Sequence, residues 1–382
     1  MRTSMRLSIC ALVTLAFGGG CKWTDFDDLS DQTWVRSTEK PSIGSTDYAT
    51  AIVGVTTSSS GGQLAVISND TPNYSTLDYK PDGAAAVGAN AQKLGIHFIA
   101  TLSEPPIFVT DGNGKIALVE RAIDAGNIAV VMGPAGAVTD APFASMFNPD
   151  SATFAGANLE VAAGATIYTL TGTGAPTPCA STDAMFRAAA MASDGTTLWT
   201  WSTAGVFSGV PVAALAPCAG GNLPNAGSEL TTTGFMPGTG ARIHLVGQYA
   251  ILAAHAGSSR MGQVFVIDTT TMAQVGTTLN VEGLRSSTVG VFDGTTYLAV
   301  GVPDRAVDDV VSGGVDVYEL DTATGMLGAG PALVLADAQP ESGELFGRTL
   351  TTMKFNDKNI LVVGANSEVF AYYKTSLYDA LP

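Results

Sequence analysis

One unit recurs along this chain, and its spacing limits the possible folds more than any other feature. The clearest copy runs from Val289 to Leu320, VGVFDGTTYLAVGVPDRAVDDVVSGGVDVYEL. An Asp293-Gly294 turn precedes an apolar run, Tyr297 to Val302. A polar, acidic connection follows, and Gly313-Gly314 opens a second run, Val315 to Tyr318. Two β-rich runs bounded by Gly, Asp and Ser read as paired antiparallel strands. Similar pairs begin at Ile52, Ile107, Leu159, Leu198, Ile251 and Ile360. The mean step between first strands is roughly fifty residues.

A lone hairpin cannot bury its apolar face. Units of this length leave room for about four short strands each, and stacking them radially buries both faces of every sheet and hides most strand edges. A β-helix would repeat over a shorter period, and two sandwiches would not repeat so evenly. The expectation is therefore an all-β chain forming a β-propeller of about seven blades, with six or eight also compatible. Composition agrees: 44 glycines and only 14% charged residues suit short strands and tight turns, not helices. Closing such a ring brings strands near Ile52 beside strands near Val369 in the last unit. It also offers the segment Gln32 to Ser37, with Trp34 inward, as a strand completing the last sheet.

Residues 1–20 read as an export signal. Arg2 and Arg6 give a positive start, Leu7 to Phe17 a short apolar core, and Gly18-Gly19-Gly20 the small residues that a peptidase needs. Cys21 follows directly. This resembles the bacterial lipoprotein signal, with Gly18 in place of the usual Leu three residues before the Cys. The resemblance implies a lipid on Cys21, as against an ordinary secretory signal, and so a lipid-anchored protein on the periplasmic or outer side of a bacterial envelope. Residues 21–45 are polar and acidic and read as a tether, with Trp23, Phe26 and Trp34 suggesting partial packing. Residues 46–382 form the repeat domain.

The last two units resemble FG-GAP repeats, the blades of integrin alpha-type propellers and of many bacterial surface proteins. Phe346-Gly347 matches the start of that motif. Val363-Gly364-Ala365 matches its end without the proline, and Val300-Gly301-Val302-Pro303 matches it in the sixth unit, which lacks the Phe-Gly. The resemblance implies a platform for protein or carbohydrate partners. The family's calcium loop is missing: Phe292-Asp293-Gly294 and Phe355-Asn356-Asp357 stand there, with too few carboxylates for a calcium shell.

Candidate chemistry is sparse. With Cys10 in the leader and Cys21 at the lipid site, Cys179 and Cys218 remain, and an even pair in an exported chain is most simply a disulfide. The three histidines, His97, His244 and His255, form no metal-binding spacing. Asp304, Asp308 and Asp309 form an acidic loop that could meet a cation or ligand, against the simpler reading of solvated carboxylates. Trp199 and Trp201 share a strand face and read as core, with a sugar platform as the alternative. No nucleophile elbow occurs. A formal charge of −16 repels phosphate backbones, which argues against nucleic-acid partners.

These observations point to a non-catalytic envelope or surface binding protein, with no catalytic residue, no metal site and no cofactor. The alternative is an exported enzyme acting on glycans through carboxylates at the propeller mouth. An enzyme needs at least two convergent acid/base groups within reach of one substrate atom, whereas a binding module needs only a surface.

Overall fold

The computed structural model describes mainly strand residues between 32 and 142 and, with short gaps, residues 149–376. Cys10, Cys21 and His97 lie outside the described residues. The chain divides into two compact units. Arg36–Tyr373 holds the sheets described below. Met1–Val35 with Lys374–Pro382 forms the other, and only the outer ends of two strands in it are described.

The strands fall into seven antiparallel blade sheets among the described residues. Chain order begins with β1 (Gln32–Glu39). Blade 1 is β2 (Ala51–Thr56), β3 (Gly62–Ser68) and β4 (Asn73–Tyr79). Blade 2 is β5 (Ile107–Thr110), β6 (Lys115–Val119), β7 (Asn127–Met132) and β8 (Val138–Pro142). Blade 3 is β9 (Ser151–Ala155), β10 (Asn158–Ala163), β11 (Thr166–Leu170) and β12 (Thr177–Ala180). Blade 4 is β13 (Ala188–Ser193), β14 (Thr197–Ser202), β15 (Val206–Pro211) and β16 (Glu229–Thr231). Blade 5 is β17 (Arg242–Val246), β18 (Tyr249–His255), β19 (Met261–Asp268) and β20 (Ala273–Glu282). Blade 6 starts with β21 (Ser286–Phe292) and β22 (Thr295–Val302). A small hairpin of β23 (Ala306–Val307) and β24 (Val310–Val311) follows. Then come β25 (Gly314–Asp321) and two short partners, β26 (Met326–Leu327) and β27 (Leu333–Leu335). Blade 7 is β28 (Thr349–Phe355), β29 (Lys358–Gly364) and β30 (Val369–Ser376), with β1 as its outermost strand.

The first strand of each blade lies beside the first strand of the next. β2 meets β5, β5 meets β9, and β9 meets β13. β13 then meets β17, β17 meets β21, β21 meets β28, and β28 returns to β2. The ring is closed and the first unit meets the last, though not through the strand of Val369 as expected. The contact runs through β28 and β29, the inner strands of blade 7.

Apolar clusters fill the gaps between blades. Ile107, Ala117, Val119, Phe154, Leu159 and Val161 join blades 2 and 3. Trp201, Phe207, Phe235, Ile243, Leu252 and Phe265 join blades 4 and 5. Ile251, Val264, Val266, Leu298, Val300 and Tyr318 join blades 5 and 6. Middle strands such as β22 bury both faces, which is why their sequences are nearly continuous in apolar residues.

Inner strands carry a different load. Each presents one edge of unpaired backbone groups to the next blade, and hydroxyls satisfy them. Ser151 Oγ donates to the Ala188 carbonyl at 2.7 Å, Ser286 Oγ to Gly347 at 2.7 Å, and Thr352 Oγ1 to Val289 at 2.9 Å. The Asn359 amide donates to the Val291 carbonyl. These residues are small and polar for that reason.

The Phe346-Gly347 pair sits at the seam of blades 6 and 7. Phe346 is fully buried against Phe370, with ring centroids 5.0 Å apart. Gly347 has φ +87°, and its carbonyl lies where a Cβ on Gly301 would stand. Both glycines are needed for that backbone crossing.

Candidate functional site

The inner strands enclose a recess of about 900 Å³ at the end where each turns into its second strand. Six blades contribute: Thr110 and Asp111, Thr153 and Phe154, Ser193 and Asp194, His244 and Val246, Val289 and Val291, and Thr352 with Lys354. Lys354 and Val291 are exposed at its rim.

The acid/base candidates of the recess are each engaged. Asp194 Oδ1 accepts from the Thr196 N–H at 2.8 Å, the Thr196 hydroxyl at 2.7 Å and the Thr197 N–H at 2.8 Å. Its Oδ2 accepts from the Trp199 indole at 3.1 Å. Burial pushes its carboxyl up, but these bonds outweigh it and hold it below the usual carboxylate range. Asp111 Oδ1 accepts the Lys115 N–H at 2.9 Å and shapes the β5–β6 turn. Ser193 Oγ donates to the Thr197 carbonyl and Thr110 Oγ1 to that of Lys115.

His244 lines the recess from β17, and its Nε2 lies 2.8 Å from Ser287 Oγ on β21. The residue is largely enclosed by protein while lining the recess. Burial, with Arg242 nearby, pushes its pKa down to about 4, so the imidazole is neutral near pH 7. The pair joins blades 5 and 6. Ser287 is only 4% exposed, which leaves its hydroxyl no path to a substrate.

The acidic loop is resolved into separate roles. Asp304 faces Arg285 at 4.0 Å. Asp308 and Asp309, both exposed, take the two left-handed positions of the β23–β24 turn, with φ +50° and +66°. That is the conformation a tight hairpin asks of Asp, Asn or Gly. Among the described residues no three His, Cys, Asp or Glu side chains come together to hold a metal ion. A second, smaller recess of about 350 Å³ lies between blades 5 and 6, where Arg305 pairs both oxygens of the buried Asp316 at 2.6 and 2.5 Å.

Cys179 and Cys218 are bonded, with Cα atoms 5.5 Å apart. The bond ties the outer strand of blade 3 to the β15–β16 connection of blade 4. Trp201 is fully buried, stacked on Phe235 with centroids 5.7 Å apart, and Trp199 stacks on Phe207 at 5.3 Å. Trp201 is core, and Trp199 packs half-buried against the same cluster. His255 is half-buried at the end of β18, its pKa lowered by burial and by Arg285. The His244–Ser287 pair spans 43 residues and two blades, and no local pattern signals it.

No family model and no curated protein matches the chain. Solved structures do. A streptogramin B lyase structure is 12% identical over 90% of this chain and 98% of its own, with a TM-score of 0.56. A catalytically inactive variant of virginiamycin B lyase from Staphylococcus aureus, with quinupristin, is 9% identical over 89% and 99%, with a TM-score of 0.56. The β-propeller domain of Myceliophteria thermophila Cps50 (Swd1) is 10% identical over 90% and 100%, with a TM-score of 0.52. At such identities the likeness is one of fold, and that fold is the β-propeller.

Proposed function

We propose that this protein is a non-catalytic binding module of the cell envelope that receives its ligand in the central recess. One observation carries the reading: among the described residues the recess carboxylates, Asp111 and Asp194, accept turn hydrogen bonds, and His244 is paired with Ser287. Groups committed in this way shape a surface and are poorly placed to exchange protons with a substrate. The recess is nonetheless large, open to solvent and mixed in polarity, as a binding site requires. The FG-GAP-like motifs of the last two blades support the same reading.

The ligand is a protein segment or a carbohydrate of the envelope and not a nucleic acid, given the charge of −16. The lipoprotein-like signal ending at Cys21 supports that location. The glycan-enzyme alternative would need Asp111 or Asp194 released from its turn. A solution array of envelope glycans and peptides tests the proposal. The wild type should retain one class of ligand unchanged, and Val291→Trp, which fills the rim from an exposed position, should weaken it at least about tenfold without altering the melting curve. Retention untouched by that substitution, or conversion of the ligand to product, overturns the reading.

A further inference from the structure

Glu160 on β10 is fully buried. Its Oε2 accepts from Thr169 Oγ1 at 2.7 Å, and its Oε1 has no hydrogen-bond partner. By strand alternation it shares a face with Ala162, which packs with Ile167 of blade 3 against Leu198 and Val210 of blade 4. Two residues along from Leu198 and Val210, on that same face, Thr200 Oγ1 and Ser208 Oγ form a buried pair 3.0 Å apart. The seam between blades 3 and 4 therefore holds a carboxyl and hydroxyls amid apolar residues.

Among the described residues no charged group in the seam offsets a negative charge on Glu160. The strands packed around Glu160 are β9, SATFA; β11, TIYTL; β12, TPCA; β13, AAAMAS; β14, TLWTWS; and β15, VFSGVP. They contain no Asp, Glu, Lys, Arg or His, and their one titratable group, Tyr168, packs on the opposite side with blade 2. Among the described residues the ion pair of Arg187 with Asp150, at 2.6 Å, lies at one end of the seam, and Asp194 lies past the other. Burial raises the Glu160 carboxyl from 4.5 to about 7, with Thr169 opposing. The same two blades are the pair joined by Cys179–Cys218, and the Leu223 N–H donates across to the Ala180 carbonyl at 2.6 Å.

We propose that the seam between blades 3 and 4 is a proton-sensitive clasp: ionisation of the buried Glu160 loosens the contact between the blades, and the Cys179–Cys218 bond keeps them together while it does. The sign follows from linkage. A carboxyl with its folded value raised stabilises the closed seam fully below pH 4.5, and that stabilisation is lost as the pH rises through about 7.

Hydrogen exchange on the full protein, corrected for the intrinsic effect of pH, tests this. Protection of β10 and β14 amides, relative to β18 and β22, should fall from pH 5 to pH 8.5 by a factor on the order of a hundred. Glu160→Gln should remove the fall. Reducing the disulfide should deepen it in the wild type and not in Glu160→Gln. Equal profiles in the two proteins, or no effect of reduction, overturn the clasp. If Glu160→Gln fails to fold, infrared titration of the wild type decides. A buried protonated carboxyl band that persists to near neutral pH supports the proposal, and its loss below pH 5 overturns it.

Discussion

The backbone N–H of Gly54 donates to Thr351 Oγ1 at 3.1 Å, across 297 residues of chain. This contact is where the first blade meets the last, and it leaves no room for a side chain. A Cβ on Gly54 would stand 2.6 Å from Met353 Cβ and 2.9 Å from the Thr352 carbonyl. Gly54→Val should therefore destabilise the whole domain by about 1–3 kcal/mol through overpacking, and Thr351→Val by about 1 kcal/mol. Urea denaturation should register both as one cooperative shift. A Gly54→Val protein of unchanged stability would mean that the ring does not close here.

Gly301 and Gly347 make a second prediction. Gly301→Ala drives its new methyl into the Gly347 carbonyl, which is itself fixed by Ser286 Oγ. The loss should be at least about 2 kcal/mol, well above that of an alanine at the open turn Gly294 relative to its own strain. Thermal melts of the two variants side by side make the comparison.

The Cys179–Cys218 bond closes a loop with a sequence separation of 39. Replacing both residues by Ser should lower stability by about 3–4 kcal/mol in the chain-entropy account. Non-reducing peptide mapping of the wild type should recover one linked fragment. Two alkylatable thiols in the folded protein would contradict the structure directly.

His244 sets the acid side of the stability profile. Its folded pKa, about 4, lies below the ordinary 6.5, so the unfolded chain binds the proton more tightly. Its contribution is present above pH 6.5 and is lost as pH falls towards 4, by about 2 kcal/mol after discounting for the partial exposure of the residue. His244→Asn should flatten that limb. The Glu160 effect runs the opposite way, falling as pH rises from 4.5 to about 7, so the two are separable by variant.

Much of the ring was legible because its middle strands are buried on both faces. Runs such as Tyr297 to Val302 and Ile360 to Gly364 stand out in the sequence. The inner strands do not. AAAMAS in β13 is small, with its Ala188 carbonyl taken by Ser151 of blade 3, and SSTVGVF in β21 carries hydroxyls that reach across, Ser286 to Gly347 and Ser287 to His244. The repeat was consequently framed on first and second strands in blades 1 and 2, and on second and third strands from blade 3 onward. That change of frame lengthens the apparent step from blade 2 to blade 3, which is shorter between their first strands.

The recess was less legible. Its wall comes from a few residues on each of six blades, with His244 and Ser287 meeting across a seam. Glu160 hid in plain alternation, since NLEVAA reads like any strand with one polar residue turned to water. Asp304, Asp308 and Asp309 drew notice because they are neighbours in sequence. The hairpin turn then sends Asp304 to Arg285 and uses the other two for backbone geometry.

The central claim is that the recess binds a ligand and does not transform it. The most direct measurement incubates the protein with the ligand class retained on the array, then follows both partners by mass spectrometry in one experiment. The account predicts slowed hydrogen exchange in Val289–Val291 and Thr352–Lys354 at the recess, with the ligand recovered at its original mass. Protection confined to the outer strands, or a ligand of altered mass, would contradict it.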